Sequence, residues 1–472
     1  MQKNKLMTHT AIMTAVNLLM RAAGVGFNAY LTSKIGSSGM GLFQLVMTVY
    51  SLATTFSSAG VRLATTRVAV EINTLKRNDM SKSIAMCVTY AGICGCIIGF
   101  VLFTFSDFIS TSWISESQTA LPLRILSLSL PFVAMSSSLG GYFTAIEKIP
   151  QYSAVQLLEQ IFKILVTVCI LFIKPSDSTL FSCMAIVAGM TAAEIFSFTL
   201  SSILKRKTMP KKSTKTAIET AKMLRVALPD AAGTCARSIL LTIEHLLIPK
   251  GFKKSGEGSD AALAAYGNIH GLALPVLLFP SAILSSLSAL LVPELARLNE
   301  KNEEDKINLT VRENLKKSLT FSMLCAVFMT LFAPAISRLV YKTNEAVMYI
   351  RILSPLVPVM YTDMITDGML KGLDQQVNSM TYNIIDSAIC VALVYFLLPR
   401  YSVKGYIFIL YASEIINFYL SFGRLIKICD IKLFSEPQAR NSTAFRRKKR
   451  SNAPEVYGFR AFRDREIHSQ DL

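Results

Sequence analysis

Charge is scarce in this chain. Asp, Glu, Lys and Arg make up 17% of its 472 residues while 52% are hydrophobic, against roughly 25% charged for an ordinary soluble domain. A soluble enzyme is excluded on that ground. Histidine (4) and tryptophan (1) are nearly absent. His245 and His270, inside apolar segments, stand in no HExxH or other metal-ligand spacing and read as hydrogen-bonded core groups. The nine cysteines are an odd number, none lies in a polar loop, and no pair has zinc spacing with histidine nearby, so neither a disulfide framework nor a zinc site is expected. No nucleotide-binding motif is present: GSSGMG at 36 to 41 lacks the strand, helix and lysine context of a phosphate loop, so an ATP-driven pump would need a partner subunit. The N-terminus MQKNKLMTHT leads into an apolar helix with no small-residue cleavage site and reads as a retained first span.

Long apolar runs are abundant. Twelve stretches are each long enough to cross roughly 30 Å of hydrocarbon as a helix, at 7–31, 41–66, 82–105, 120–145, 153–173, 180–204, 221–248, 261–296, 317–341, 348–371, 379–398 and 403–428. The expected fold is therefore an all-α polytopic membrane protein. The net charge of +18 collects in the connections 67–81, 205–218 and 297–316 and in the tail, whereas 106–119 is nearly free of Lys and Arg. That asymmetry places both termini in the cytoplasm. Lys250, Lys253 and Lys254 are the outward exception. The runs at 205–212 and 446–450 read as anchors for anionic lipid rather than nucleic-acid patches.

The chain also repeats itself. A shift of 227 lays Arg124-Ile125-Leu126-Ser127 on Arg351-Ile352-Leu353-Ser354 and aligns Pro131 with Pro358, Gly141 with Gly368 and Glu159 with Asp386. Neighbouring shifts align Arg21 with Arg237, Lys34 with Lys250, and Glu194 with Glu414. A duplicated six-helix unit follows, with an N-terminal lobe at 1–204, a basic cytoplasmic linker at 205–218, a C-terminal lobe at 219–430 and a basic, flexible tail at 431–472. Two such lobes facing each other have the geometry of a transporter.

Ionisable side chains inside spans mark candidate sites, since each costs at least about 2.5 kcal/mol near the bilayer centre. Arg21 and Arg237 are repeat partners, and Arg62 lies near the inner end of the second span. Converging guanidiniums suit a pyrophosphate, because the planar fork stays charged and binds oxyanions bidentately. Glu159 and Lys163 stand at i, i+4 and can pair within one helix. Asp386 has only Cys390 at the equivalent place, which makes it the stronger candidate for coupling or gating, with Glu159, Lys163, Glu244 and Asp230 beside it. Glu194 and Glu414 read as packing within a lobe, in small-residue surroundings.

Three segments carry a family resemblance: LTSKIGSSGMGLFQLVMTVYSLATTFSSAGVRLATTRVAVE, YGNIHGLALPVLLFPSAILSSLSALLVPELA at 266–296, and DGMLKGLDQQ at 367–376. They resemble polysaccharide-lipid flippases of the multidrug/oligosaccharidyl-lipid/polysaccharide exporter superfamily, in the branch of stage V sporulation protein B. The resemblance implies a V-shaped pair of six-helix lobes in the bacterial cytoplasmic membrane. It also implies alternating-access movement of polyprenyl-pyrophosphate-linked oligosaccharide or peptidoglycan precursor to the outer leaflet, with no enzymatic step and no cofactor. Coupling would come from H+, Na+ or the membrane potential, and cell-wall synthesis enzymes are implied partners. The first-helix arginine of the lipid II flippases matches Arg21, and Arg62 falls near their helix 2 arginines. Where they carry a helix 8 arginine, Ile269 and His270 stand here, and spans matching their two extra C-terminal helices are missing. A cation-coupled multidrug exporter is the alternative within the superfamily, and a non-transporting scaffold or glycosyltransferase partner in cell-wall assembly is the alternative outside it.

Overall fold

In the computed structural model, residues 2–75, 80–146, 148–173, 179–208 and 220–429 are described, without side chains at 2–13, 73–75, 149, 179 and 220–230. The linker from 209 and the tail after 429 lie outside the described residues. Nearly all of the described chain is helical. The elements are α1 (Gln2–Ser58), α2 (Val61–Leu75), α3 (Met80–Thr104), α4 (Ser106–Phe108), α5 (Ala120–Ser127), α6 (Leu130–Ala145), α7 (Ile149–Ile173), α8 (Thr179–Thr208), α9 (Thr220–Lys254), α10 (Ser259–Gly267), α11 (Leu274–Leu277), α12 (Ser281–Glu300), α13 (Glu304–Tyr341), α14 (Val347–Leu353), α15 (Val357–Gly372) and α16 (Gln376–Cys429).

The elements do not coincide with the sequence-based spans one for one, for identifiable backbone reasons. The first two spans form the single element α1, bent at Gly36, where φ is +69°. GSSGMG begins at this break, with Gly36 outside helical geometry and the residues after it opening the second limb. Likewise the last two spans form α16, bent at Ser402 behind Pro399. Span 4 breaks by 47° between α5 and α6, just before Pro131, which has no N–H to continue the ladder. Span 8 is interrupted twice, by the π-turn Asn268–Ala273 and by the turn before Ser281 that contains Pro280.

Apolar surface points outward. Along α13 the buried residues form one stripe, Ile307, Val311, Leu315, Ser318, Ser322, Ala326, Met329, Ala333, Ser337 and Tyr341, at the three- and four-residue spacing of one helix face. Leu319, Met323, Leu324, Val327, Phe328 and Leu331 on its other faces are all exposed. Such a surface is stable against lipid and not against water. At 38 residues and about 1.5 Å per residue, α13 is about 57 Å long and overruns the hydrocarbon by several turns, which is where its charged first third falls. This is a multi-pass membrane protein.

The backbone repeats as the sequence does. The shift of 227 carries α6 onto α15 at both ends. It also carries Ser115 onto Lys342, two non-glycine residues in the left-handed region at φ 63° and 56°. The described residues pack as one compact unit.

Candidate functional site

Arg21 lies midway along the first limb of α1, and its guanidinium crosses to the other half of the chain. Its Nη1 donates to the Leu278 carbonyl and, at 2.6 Å, to Ser281 Oγ. Both acceptors sit at the break between α11 and α12. Tyr361 on α15 ties the same break by donating to the Leu277 carbonyl at 2.6 Å, and its ring lies within electrostatic reach of Arg21. The break therefore supplies Arg21 with neutral oxygens rather than a carboxylate. Further along, Asn28 donates to the Gly271 carbonyl at 3.2 Å, and Ser238 on α9 meets Thr55 on α1 at 3.3 Å.

Arg237, the repeat partner of Arg21, has different surroundings. It is exposed on α9 and its charge is felt by Asp363, Asp386 and Glu414. These carboxylates come from three segments, α15 and the two limbs of α16. Ser413 donates to Asp386 Oδ1 at 2.7 Å and Asn417 donates to Asp363 Oδ2 at 3.0 Å. Asp363 Oδ1 and Asn417 Oδ1 are left buried without a hydrogen-bond partner among the described residues. Glu244 on α9 is 7% exposed and feels Asp386. Asp386 thus draws its partner from the far limb of α16, not from the Cys390 position one turn along its own helix. The Asp230 side chain lies outside the described residues.

The N-terminal half holds the second charged cluster. Glu159, Lys163 and Glu194 act on one another electrostatically. Lys163 also lies 5.6 Å from the Phe27 ring centroid. Sequence reasoning placed Glu194 in packing alone, but here it shares a charged group with the i, i+4 pair. Arg62 is exposed, 6.0 Å from the Tyr152 ring centroid. The histidines are internal: His245 Nδ1 is 2.9 Å from Tyr266 OH, His270 Nε2 is 2.7 Å from Tyr406 OH, and the two imidazoles meet edge to face at 4.7 Å.

At the Gly36 end of the bundle the halves are clasped. Gly41 and Gly267 let α1 and α10 approach until a Cβ on either would collide with backbone. Lys253 pairs with Glu116 at 3.1 Å, Ser259 donates to Glu116 at 3.0 Å, and Lys250 donates to the Ser112 carbonyl at 2.9 Å. Lys254 lies 5.9 Å from the Tyr395 ring centroid. All three lysines that broke the charge asymmetry are engaged by neighbouring groups, two of them in the clasp.

A bundle of two repeated halves, joined by an arginine at a helix break and carrying a charged cluster in each half, matches known proteins. The family model described as "Polysaccharide biosynthesis protein" matches residues 6–299, and that described as "MatE" matches residues 255–397. The chain belongs to the polysaccharide biosynthesis protein family. Stage V sporulation protein B of Bacillus subtilis (strain 168) is 24% identical over 409 residues, covering 85% of this chain and 79% of that protein. Among solved structures, the lipid II flippase MurJ in an inward closed conformation superposes with a TM-score of 0.68 at 14% identity, over 88% of this chain and 87% of that one. An inward-facing MATE family multidrug transporter gives 0.66 at 12% identity, over 90% and 99%. At these identities the structural likeness shows the fold.

Proposed function

We propose that this family member moves a polyprenyl-pyrophosphate-linked glycan or peptidoglycan precursor from the inner to the outer leaflet of the bacterial cytoplasmic membrane, with both termini cytoplasmic and no chemical change to the substrate. The observation that carries this reading is Arg21: a guanidinium inside the bundle, at the contact between halves, held by neutral oxygens so that its full positive charge remains available to an anion. Arg237 and Arg62 complete the pyrophosphate-binding set. The sugars travel in the wet space between the halves, and the polyprenyl tail stays in lipid.

Coupling to H+, Na+ or the membrane potential falls to the carboxylates. Asp386 and Glu244, with Asp363 and Glu414 in electrostatic reach, are the candidates in the C-terminal half, where Asp363 Oδ1 and Asn417 Oδ1 are buried with no hydrogen-bond partner among the described residues. Glu159 and Lys163 are the corresponding candidates in the N-terminal half, and Asp230 is a further one. Anionic lipids hold the basic linker and tail, and cell-wall synthesis enzymes supply or receive the substrate. The same acidic cluster is the observation that favours a second reading, a cation-coupled multidrug exporter, because carboxylates also recognise organic cations.

Depleting the protein and profiling lipid-linked intermediates by mass spectrometry separates the two. A flippase leaves a polyprenyl-pyrophosphate glycan accumulating on the cytoplasmic side. An unchanged lipid-linked pool together with new sensitivity to cationic drugs overturns the first reading in favour of the second.

A further inference from the structure

Ser281 is wholly buried, at 0% exposure, and sits on the C-terminal side of Pro280 where α12 begins. Its Oγ accepts from Arg21 Nη1 at 2.6 Å and donates to the Leu278 carbonyl at 2.8 Å. The same carbonyl accepts from Arg21 Nη1, so serine, carbonyl and guanidinium close a triangle. The two N–H bonds of Nη1 lie in the guanidinium plane. Fixing both of them fixes the plane and the direction in which its opposite edge points. That edge, Nε with Nη2, is the fork that grips an oxyanion through two parallel hydrogen bonds, and it has no partner among the described residues.

We propose that Ser281 is a positioning residue for the pyrophosphate site: with the Leu278 carbonyl it holds Arg21 by Nη1 and presents the Nε–Nη2 fork to the lipid pyrophosphate. The inference rests on the pyrophosphate reading of Arg21. Ser281 reaches the anion only through Arg21. An arginine side chain carries about 2 kcal/mol of rotamer entropy, so a fork held in advance binds more tightly than a free one. Because the anchors lie in one half and Arg21 in the other, the fork is oriented only while α1 and the α11–α12 break touch. Parting of the halves at this level releases the guanidinium and lowers affinity for the anion, which is what unloading requires.

The test measures binding of undecaprenyl pyrophosphate to the full-length protein in nanodiscs by native mass spectrometry, with undecaprenol as the phosphate-free control. Arg21→Ala is expected to abolish the preference for the pyrophosphate over undecaprenol. Ser281→Ala is expected to weaken pyrophosphate binding about tenfold, the scale of one hydrogen bond to a charged group, and to leave undecaprenol binding and Tm unchanged. Ser281→Thr, which keeps the hydroxyl, restores binding to within about twofold of the parent. In an Arg21→Lys background, where no fork exists to orient, Ser281→Ala has no further effect. Should Arg21→Ala lose the preference while Ser281→Ala keeps it, the positioning role is wrong and the pyrophosphate reading stands. Should Arg21→Ala keep the preference, the pyrophosphate reading itself fails. Equal losses in Ser281→Ala and Ser281→Thr that track a fall in Tm overturn the proposal in favour of a packing role.

Discussion

The arginines and carboxylates inside the bundle differ in what surrounds them, and their substitutions separate accordingly. Among the described residues Arg21 meets only neutral oxygens, so Arg21→Ala strips none of their carboxylates of its counter-charge, and we expect a folded protein that does not transport. Arg21→Lys keeps the charge without the fork and is expected to recover transport only in part, both read by flipping assays beside thermal melts. Arg237 faces Asp363, Asp386 and Glu414. Because Arg237 itself is exposed, solvent screens its effect on them, and Arg237→Ala is expected to lower transport while changing stability by no more than about 1 kcal/mol. Asn417 is 8% exposed and donates to Asp363. Asn417→Leu deletes that donor and one of the two unpartnered oxygens, so transport driven by an ion gradient should fall while binding of the lipid pyrophosphate persists. Equal loss of both would place the acidic cluster in the substrate site instead.

Helix positions were readable from the sequence because desolvating the backbone in lipid demands long apolar runs. The breaks within them were not. Proline marks several, but whether a proline bends, breaks or merely begins a helix depends on what accepts the freed carbonyls. At the α11–α12 break the donors are Tyr361 and an arginine 257 residues away. The same distance explains why Ser281 escaped notice: a lone serine in an apolar helix carries no signal until its partner is known. Asp386 is a milder case, since its partner Ser413 lies beyond a chain reversal rather than one turn along. The clasp at the Gly36 end shows an anomaly of charge becoming intelligible, because lysines on the less basic side of the bundle meet Glu116 and the Ser112 carbonyl. The Lys253 and Glu116 side chains are 29% and 28% exposed, a setting in which an ion pair contributes up to about 1 kcal/mol. Glu116→Gln is therefore expected to leave Tm nearly unchanged and to raise the open fraction at that end severalfold, read as spin-label distances between the 106–119 turn and α9. Gly267→Val adds a side chain where the Ser37 and Gly41 backbone already lies, so it should hold the same end apart and stop transport.

At the scale of the molecule, two halves built on one plan have acquired unequal chemistry. The offset that superimposes α6 on α15 survives in backbone detail, yet Arg21 and Arg237, which align in the sequence repeat, face a neutral helix break and an acidic cluster. The tail from 431 onward carries the cluster Arg446, Arg447, Lys448, Lys449 and Arg450. Truncation at about residue 435 is expected to leave transport intact and to weaken only association with anionic lipid, checked by flipping rates at matched membrane abundance. The most direct test of the whole account is reconstitution: purified protein in proteoliposomes, a polyprenyl-pyrophosphate-linked sugar in one leaflet, and its arrival in the other followed with time. The account requires leaflet exchange by the parent protein and none by Arg21→Ala of equal Tm. Exchange by Arg21→Ala at the parental rate would contradict it.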